Sequence, residues 1–377
     1  MRCLRKGSAP LSVDSPGTPR VHGVRLIAFY LPQFHPEPAN DGHHGPGFTE
    51  WVHVAAARPL FRGHQQPVLP GELGFYDLRV PEVREAQAAL ARQYGISAFC
   101  WWHYWSLGRR LLERPFREVL ESGEPDFPFC LGWANHPWAT TRSGAPESIV
   151  VPQEYGGDDD HDRHFALVEP AFHDPRYVRV GGAPLFYLFR PSEVPDLHAF
   201  VRRWTELAQR SGLPGIHFVG QWRGETIRDG GPLSALDALV LPRITPAGYR
   251  RPLRLRIVDR LRHGPIRLPS DAYAALTPEL VPGCPTSYPC ILSNWDDTPR
   301  WGRRGHVLLD PDVGALTEHV RAAVRLLAER APDERIAFVK SWNEWAEGNH
   351  LEPDRRHGRR RLEAVLAGLA ESSGEPT

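Results

Sequence analysis

Short apolar runs alternate with amphipathic stretches along most of the chain, starting at residue 24. Val24–Tyr30 reads as a buried strand. Pro81–Tyr94 has helical spacing, with Pro at its start and Gly95 just past its end. The same alternation predicts strands at Ile96–Trp101, Phe127–Trp133, Pro184–Phe189, Ile216–Gln221, Ala238–Leu241, Tyr288–Asn294 and Ile336–Ser341. It predicts helices at Leu112–Glu121, Asp160–Phe172, Leu197–Ser211, Val313–Arg330 and Arg360–Leu369. The acidic run Asp158–Asp160 reads as a helix N-terminus, where carboxylates complement the helix dipole. Eight near-continuous apolar strands fit a parallel sheet buried on both faces. The predicted fold class is α/β, a single (β/α)8 TIM-type barrel with loop insertions. No Gly-x-Gly-x-x-Gly turn follows the first strand, which argues against an open dinucleotide-binding sheet.

The 377 residues, 41% of them hydrophobic, suffice for one such barrel. The barrel domain is placed at 24–371. It lies between a leader, 1–23, and a tail, 372–377, both read as disordered. The leader has no apolar core of the kind a secretory signal needs. The stretch 243–283 is Arg-rich and Pro-containing. It reads as an insertion after the sixth strand, with no strand of its own and a solvated basic face. Formal net charge is zero, so no global field points to nucleic acid. No apolar run reaches bilayer length. The five cysteines match no zinc spacing, and no metalloprotease-type histidine pair occurs. The expectation is a reduced, cytoplasmic protein with no metal, no cofactor, no nucleic-acid partner and no integral membrane segment. Only Lys6 and Lys340 are lysines among the 45 basic residues, and the arginine excess reads as compositional bias.

Polar and aromatic residues crowd just after the strands. Tyr30 to His35, then Glu50 and Trp51, follow the first strand; Trp102 to Trp105, including His103 and Tyr104, follow the second. Trp133, Asn135, His136 and Trp138 follow the third, and Trp222 the fifth. Trp295 and Asp296 follow the seventh, and Trp342, Asn343, Glu344, Trp345 and Glu347 the eighth. In a (β/α)8 barrel these positions share one rim, where active sites are built. A tryptophan offers a flat apolar face and one N–H donor, which suits a sugar ring with C–H faces and hydroxyl edges. Glycosidic chemistry needs two carboxylates. The candidates are Glu154 and Glu344, with Glu347 as alternate. Glu352, followed by Pro353, reads as a cap or a supporting residue. The candidate sugar contacts are Tyr30, His35, Glu50, Trp51, His103, Tyr104, Trp133, Asn135, His136, Trp138, Trp222, Trp295, Asp296, Trp342, Asn343 and Trp345. The partner expected is an oligosaccharide or polysaccharide.

Several of these stretches carry a resemblance. They are Ala28-Phe-Tyr-Leu-Pro-Gln-Phe-His35, Gly47-Phe-Thr-Glu-Trp51, Glu124 to Leu131, Trp133-Ala-Asn135, Asn294-Trp-Asp-Asp-Thr-Pro299 and Ser341-Trp-Asn-Glu-Trp-Ala-Glu-Gly348. Together they resemble the WbsX-like family of bacterial polysaccharide-biosynthesis proteins, itself similar to glycoside hydrolase family 99. The resemblance runs from about residue 24 to 354 and implies a (β/α)8 barrel. It implies cleavage or transfer of glycosyl units on an α-linked, mannose- or rhamnose-type glycan. Two departures stand out. Where the hydrolase family carries a glutamate pair, the nearest match, Gln153-Glu154-Tyr155-Gly156, has one acid. After Trp-Ala-Asn, where many family members carry glutamate, stands His136, a residue able to move protons near neutral pH. Two rival readings follow. One is a nucleotide-sugar-dependent glycosyltransferase of O-antigen or exopolysaccharide synthesis, which would use the 243–283 stretch. The other is a catalytically silent polysaccharide-binding barrel.

Overall fold

A computed structural model describes residues 23–140, 148–244, 264–284 and 286–370. The leader up to residue 22, the tail from 371, and 245–263 of the Arg-rich stretch lie outside the described residues.

Eight strands form the barrel: β1 (Arg25–Tyr30), β2 (Ile96–Ser106), β3 (Phe129–Trp133), β4 (Ala183–Leu188), β5 (His217–Gln221), β6 (Ala238–Leu241), β7 (Ser287–Leu292) and β8 (Ile336–Lys340). Each pairs in parallel with the next. β8 pairs with β1, Arg25 opposite Ile336, and the sheet closes. The outer layer includes α1 (Pro81–Gln93), α2 (Arg114–Ser122), α3 (Asp158–His173), α4 (Leu197–Arg210), α5 (Val313–Leu327) and α6 (Arg360–Ala370). Between β5 and β6 a single 3-10 turn, Pro232–Ala235, takes the place of a helix.

The barrel interior is filled with aromatic rings. Phe29 stacks on Trp102 at 4.9 Å, meets Tyr187 at 5.0 Å and stacks on Phe338 at 5.3 Å. Burying one such ring contributes roughly 2 kcal/mol through apolar surface removed from water. Gly132 makes room for the layer, because a Cβ there would stand 3.2 Å from the Trp102 ring. Above this plug the barrel opens upward at the C-terminal ends of the strands.

Two expectations need correction. The second strand does not stop at Trp101 but continues to Ser106, where it pairs with Arg109–Leu111. Its side chains alternate. Trp101 and Trp105 turn outward onto Phe116 of α2 and His164 of α3, while Trp102 and Tyr104 line the cavity. The stretch 243–283 does contain a strand, Ile266–Leu268, which pairs in parallel with His306–Leu308. Three residues are too few to show a period, and the partner lies 40 positions away in sequence. The four described cysteines, Cys100, Cys130, Cys284 and Cys290, are free thiols.

Candidate functional site

A cavity of about 700 Å³ opens at the C-terminal rim of the barrel. Trp102 and Tyr104 of β2, Trp138 and Ile149 of a hairpin after β3, and Trp301 after β7 supply apolar faces. His44, Phe48 and His53 form a second flank, with His44 stacked on Phe48 at 4.0 Å. Glu50, Arg300, Lys340, Glu344 and Glu347 supply the charge.

Arg300 organises those charges. Its Nε and Nη2 donate to Glu50 Oε1 at 2.9 and 2.6 Å. Nη2 also donates to Glu344 Oε2 at 3.0 Å, and Nη1 donates to Glu347 Oε1 at 2.6 Å. Lys340 Nζ lies 3.4 Å from the other oxygen of Glu347, which also accepts from Asn349 Nδ2 at 3.1 Å. The planar fork of an arginine, with five N–H donors in fixed directions, suits three carboxylates set around it.

Local structure explains how these groups meet. Glu50 opens the helix Glu50–Ala56, and its N–H donates to Gln33 O at 2.9 Å. Arg300 sits in the short helix Thr298–Trp301, which is fixed by Asp296. The Asp296 carboxylate accepts from Gln66 at 2.7 Å, His64 at 3.0 Å and the Thr298 hydroxyl at 2.5 Å. His64 Nδ1 already accepts from the Leu60 N–H at 3.0 Å, so its Nε2 carries the proton given to Asp296. Glu344 and Glu347 lie on a tight hairpin in which Asn343–Glu344 pairs with Asn349–His350.

Their surroundings push the two hairpin glutamates in opposite directions. Burial pushes Glu344 up to about 7; Glu347 beside it adds to the push, while Arg300 and Lys340 oppose it. Burial opposes ionisation at Glu347 too, but Lys340, Arg300 and the Asn349 hydrogen bond hold it at about 2. Burial also raises Glu50, against the pull of Arg300. Three carboxylates thus face two cations, and a proton on Glu344 cancels the excess negative charge. Carboxyls whose environments split their pKa values suit separate proton-donor and anion roles. Across the cavity, His136 Nδ1 lies 2.9 Å from Pro137 O and must donate to it. Burial lowers His136 to about 4, so at neutral pH its Nε2 is an acceptor.

The cavity brings together Glu50, Tyr104, His136, Trp138, Glu344 and Glu347 of the sequence candidates. It does not include Glu154, which is exposed. Tyr30, His35, Trp51, Trp133, Asn135, Trp295, Asp296, Trp342, Asn343 and Trp345 are buried in the packing around the site and do not line it. His103 pairs with His164 at 2.9 Å, and Trp222 donates to Glu225 O at 2.8 Å, both away from the cavity. Most rim tryptophans pack into the protein because a large apolar ring gains more from burial than from exposure. Sequence reasoning missed Arg300, Lys340, Trp301 and the His44–Phe48–His53 flank. Lys340 carried a signal, being one of two lysines and the last residue of β8. Arg300 was hidden among the many arginines.

Comparison with known proteins agrees with this architecture. A family model described as Glycosyltransferase WbsX matches residues 26–365. The protein WxcX of Xanthomonas campestris pv. campestris strain B100 is 36% identical over 359 residues. The match covers 93% of this chain and 50% of WxcX, and the same holds for WxcX of strain ATCC 33913. The chain therefore spans about half the length of the curated relatives it matches. Two solved structures share the fold. One is the GH99 endo-alpha-mannosidase from Bacteroides thetaiotaomicron, with TM-score 0.54 and 14% identity over 92% of this chain and 97% of that one. The other, described as a glycoside hydrolase-like protein, has TM-score 0.59 and 13% identity over 96% and 97%. At such identities the likeness speaks for the barrel alone.

Proposed function

The chain belongs to the WbsX glycosyltransferase family, and on that premise we propose that it is a carbohydrate-active enzyme that cleaves or transfers glycosyl units of an α-linked, mannose- or rhamnose-type glycan. The observation that carries the reading is the buried pair bonded to one guanidinium, Arg300, at 3.0 and 2.6 Å: burial and the neighbouring charge push Glu344 up, while Lys340 and Arg300 hold Glu347 down. Glu344 keeps its proton near neutral pH and gives it to the leaving glycosidic oxygen. Glu347 stays ionised and stabilises the positive charge that develops at the sugar ring, and water or an acceptor hydroxyl then bonds to the anomeric carbon and returns a proton to Glu344. Tyr104, Trp138 and Trp301 offer faces for the sugar's C–H surfaces, and His136 Nε2 accepts from a hydroxyl. The test incubates wild type and Glu344→Gln with mannose- and rhamnose-containing oligosaccharides, with and without nucleotide sugars, and reads products by mass. Cleavage by wild type alone, without nucleotide, is the expected result. Binding without turnover under all conditions would count against it.

The family's description supports a second reading, transfer from a nucleotide sugar. Chain growth that depends on the nucleotide sugar would select it. Against it, each cation lining the described cavity already faces a carboxylate: Arg300 and Lys340 as above, and Arg190 at 2.9 Å from Glu193. A diphosphate would have to displace one of them.

A further inference from the structure

We propose that Glu352 is a positioning residue for this site: its buried carboxylate, accepting from Tyr76, Gln87 and Trp345, fixes the hairpin that carries Glu344 and Glu347 against Arg300. Glu352 is 1% exposed and does not line the cavity. Its Oε2 accepts from Trp345 Nε1 at 2.6 Å and from the Tyr76 hydroxyl at 2.8 Å. Its Oε1 accepts from Gln87 Nε2 at 2.6 Å.

These bonds tie both flanks of the charge cluster to one atom pair. On the hairpin side, Trp345 stands between the two glutamates in sequence. Its ring is stacked on His350 at 3.8 Å and hydrogen-bonded to Glu352, so the tip is pinned to its own base. The base is closed by Leu351 N–H donating to Trp342 O at 2.8 Å and Ser341 N–H donating to Asn349 O at 2.7 Å. On the other side, Tyr76 O accepts from Trp51 Nε1 at 2.8 Å, and Trp51 follows Glu50, the residue that holds Arg300. Gln87 in turn accepts from the Tyr30 hydroxyl at 2.6 Å, which anchors the network to β1.

The hydrogen-bond directions are fixed from the backbone outward. Asn343 Oδ1 accepts from the Leu31 N–H at 2.7 Å, so its Nδ2 faces Leu31 O and the Tyr76 oxygen. Tyr76 must then aim its hydrogen at Glu352. The Trp345 indole can only donate. Oε2 therefore receives two donors and carries no proton. Burial pushes Glu352 up to about 7, against the pull of its donors. A proton could enter only at Oε1, and Gln87 would then have to turn its amide over. An acceptor at Oε2 is thus the feature that positions the hairpin, and glutamine can supply it.

The proposal rests on the glycosyl-transfer reading only for its activity readout. The test uses the full chain labelled with 13C at glutamate carboxyls. Glu344 and Glu347 resonances are assigned from their own Gln variants and titrated by NMR. Glu352→Leu and Trp345→Phe should bring the two pKa values closer by about one pH unit or more, because a loosened hairpin relieves the burial that pushes Glu344 up and moves Glu347 off Lys340 and Arg300, the cations that hold it down. Glu352→Gln should keep the separation. With an active glycan substrate, kcat should fall roughly 10- to 100-fold in the first two variants with KM little changed, and Gln should restore it. An unchanged separation in folded Glu352→Leu and Trp345→Phe would overturn the positioning role. Should Glu352→Leu not fold, Trp345→Phe, which keeps the stacked ring, decides. Wild type inactive on every glycan would count against the proposed function and leave the titration result standing.

Discussion

Glu344 and Glu347 are held by the two terminal nitrogens of one guanidinium: Arg300 Nη2 donates to the first at 3.0 Å and Nη1 to the second at 2.6 Å. That shared cation lowers both acids, so what separates them is burial and the Glu347 charge acting on Glu344, against Lys340 acting on Glu347. Lys340 adds its charge on the Glu347 side, so Glu347 stays ionised and the proton goes to Glu344.

Arg300→Lys keeps one positive charge but loses the rigid fork whose Nε, Nη1 and Nη2 reach Glu50, Glu344 and Glu347. Leaving buried carboxylates uncompensated costs about 3 kcal/mol. The variant should melt several degrees lower, and glycan turnover should drop at least ~100-fold. Thermal unfolding and a product assay check this; wild-type values in both would remove Arg300 from the centre of the site.

Glu344 sits at about 7 against an ordinary 4.5, so between those values the folded state holds the extra proton. Its favourable contribution is present below 4.5 and is lost as pH rises to about 7, on the order of 3 kcal/mol. Glu347, at about 2, works in the opposite sense: its contribution is present above 4.5 and lost as pH falls toward 2. Unfolding midpoints across pH should show Glu344→Gln flattening part of the decline between 4.5 and 7. Glu352 and Asp297, also pushed up to about 7 by burial, should retain the rest. An identical slope in both proteins would contradict the assignment.

Activity should fall above about pH 7 as Glu344 loses its proton. Lys340→Met should raise the Glu347 pKa, because the cation at 3.4 Å is gone. The acid limb of the pH–rate profile should then move upward by about one unit. A limb that stays in place would separate Lys340 from the titration of Glu347.

Glu154→Gln changes an exposed side chain outside the cavity. Stability should stay within about 0.5 kcal/mol of wild type. Turnover should stay within about twofold. A loss comparable to that of Glu344→Gln would show that Glu154 reaches the substrate after all.

Gly348→Ala should break the hairpin tip. Gly348 has φ of 69°, and a Cβ there would stand 2.7 Å from the Asp296 backbone nitrogen. That nitrogen donates to Glu347 O at 2.8 Å, so the clash reaches the site directly. A cost of about 3 kcal/mol is expected, from strain at positive φ plus the displaced contact. Chemical denaturation measures it, and a neutral result would mean the loop has another way to turn.

The barrel was readable from local pattern. Runs such as Leu26–Phe29 and Ala337–Val339 are apolar at every position because both faces of a closed parallel sheet are covered. Pro81 and Gly95 marked the ends of α1 for reasons of backbone geometry alone. The strand Ile266–Leu268 was not readable, since its stability comes from a distant partner rather than from its own period. The alternation within Trp101–Trp105 was present in the sequence, but which side faced the cavity depended on where α2 and α3 packed.

By itself the sequence determined the (β/α)8 class, the order of its strands, and the rim on which Glu50, Glu344 and Glu347 gather, because hydrophobic periodicity and turn chemistry act over a few residues. Only the tertiary structure decided which rim residues line the cavity. Glu50 and Arg300 lie 250 positions apart in the chain, and their contact exists only because the closed barrel brings the loops after β1 and β7 over one opening. Glu154 is exposed outside that cavity and most of the rim tryptophans are buried around it, an arrangement that no local pattern encodes.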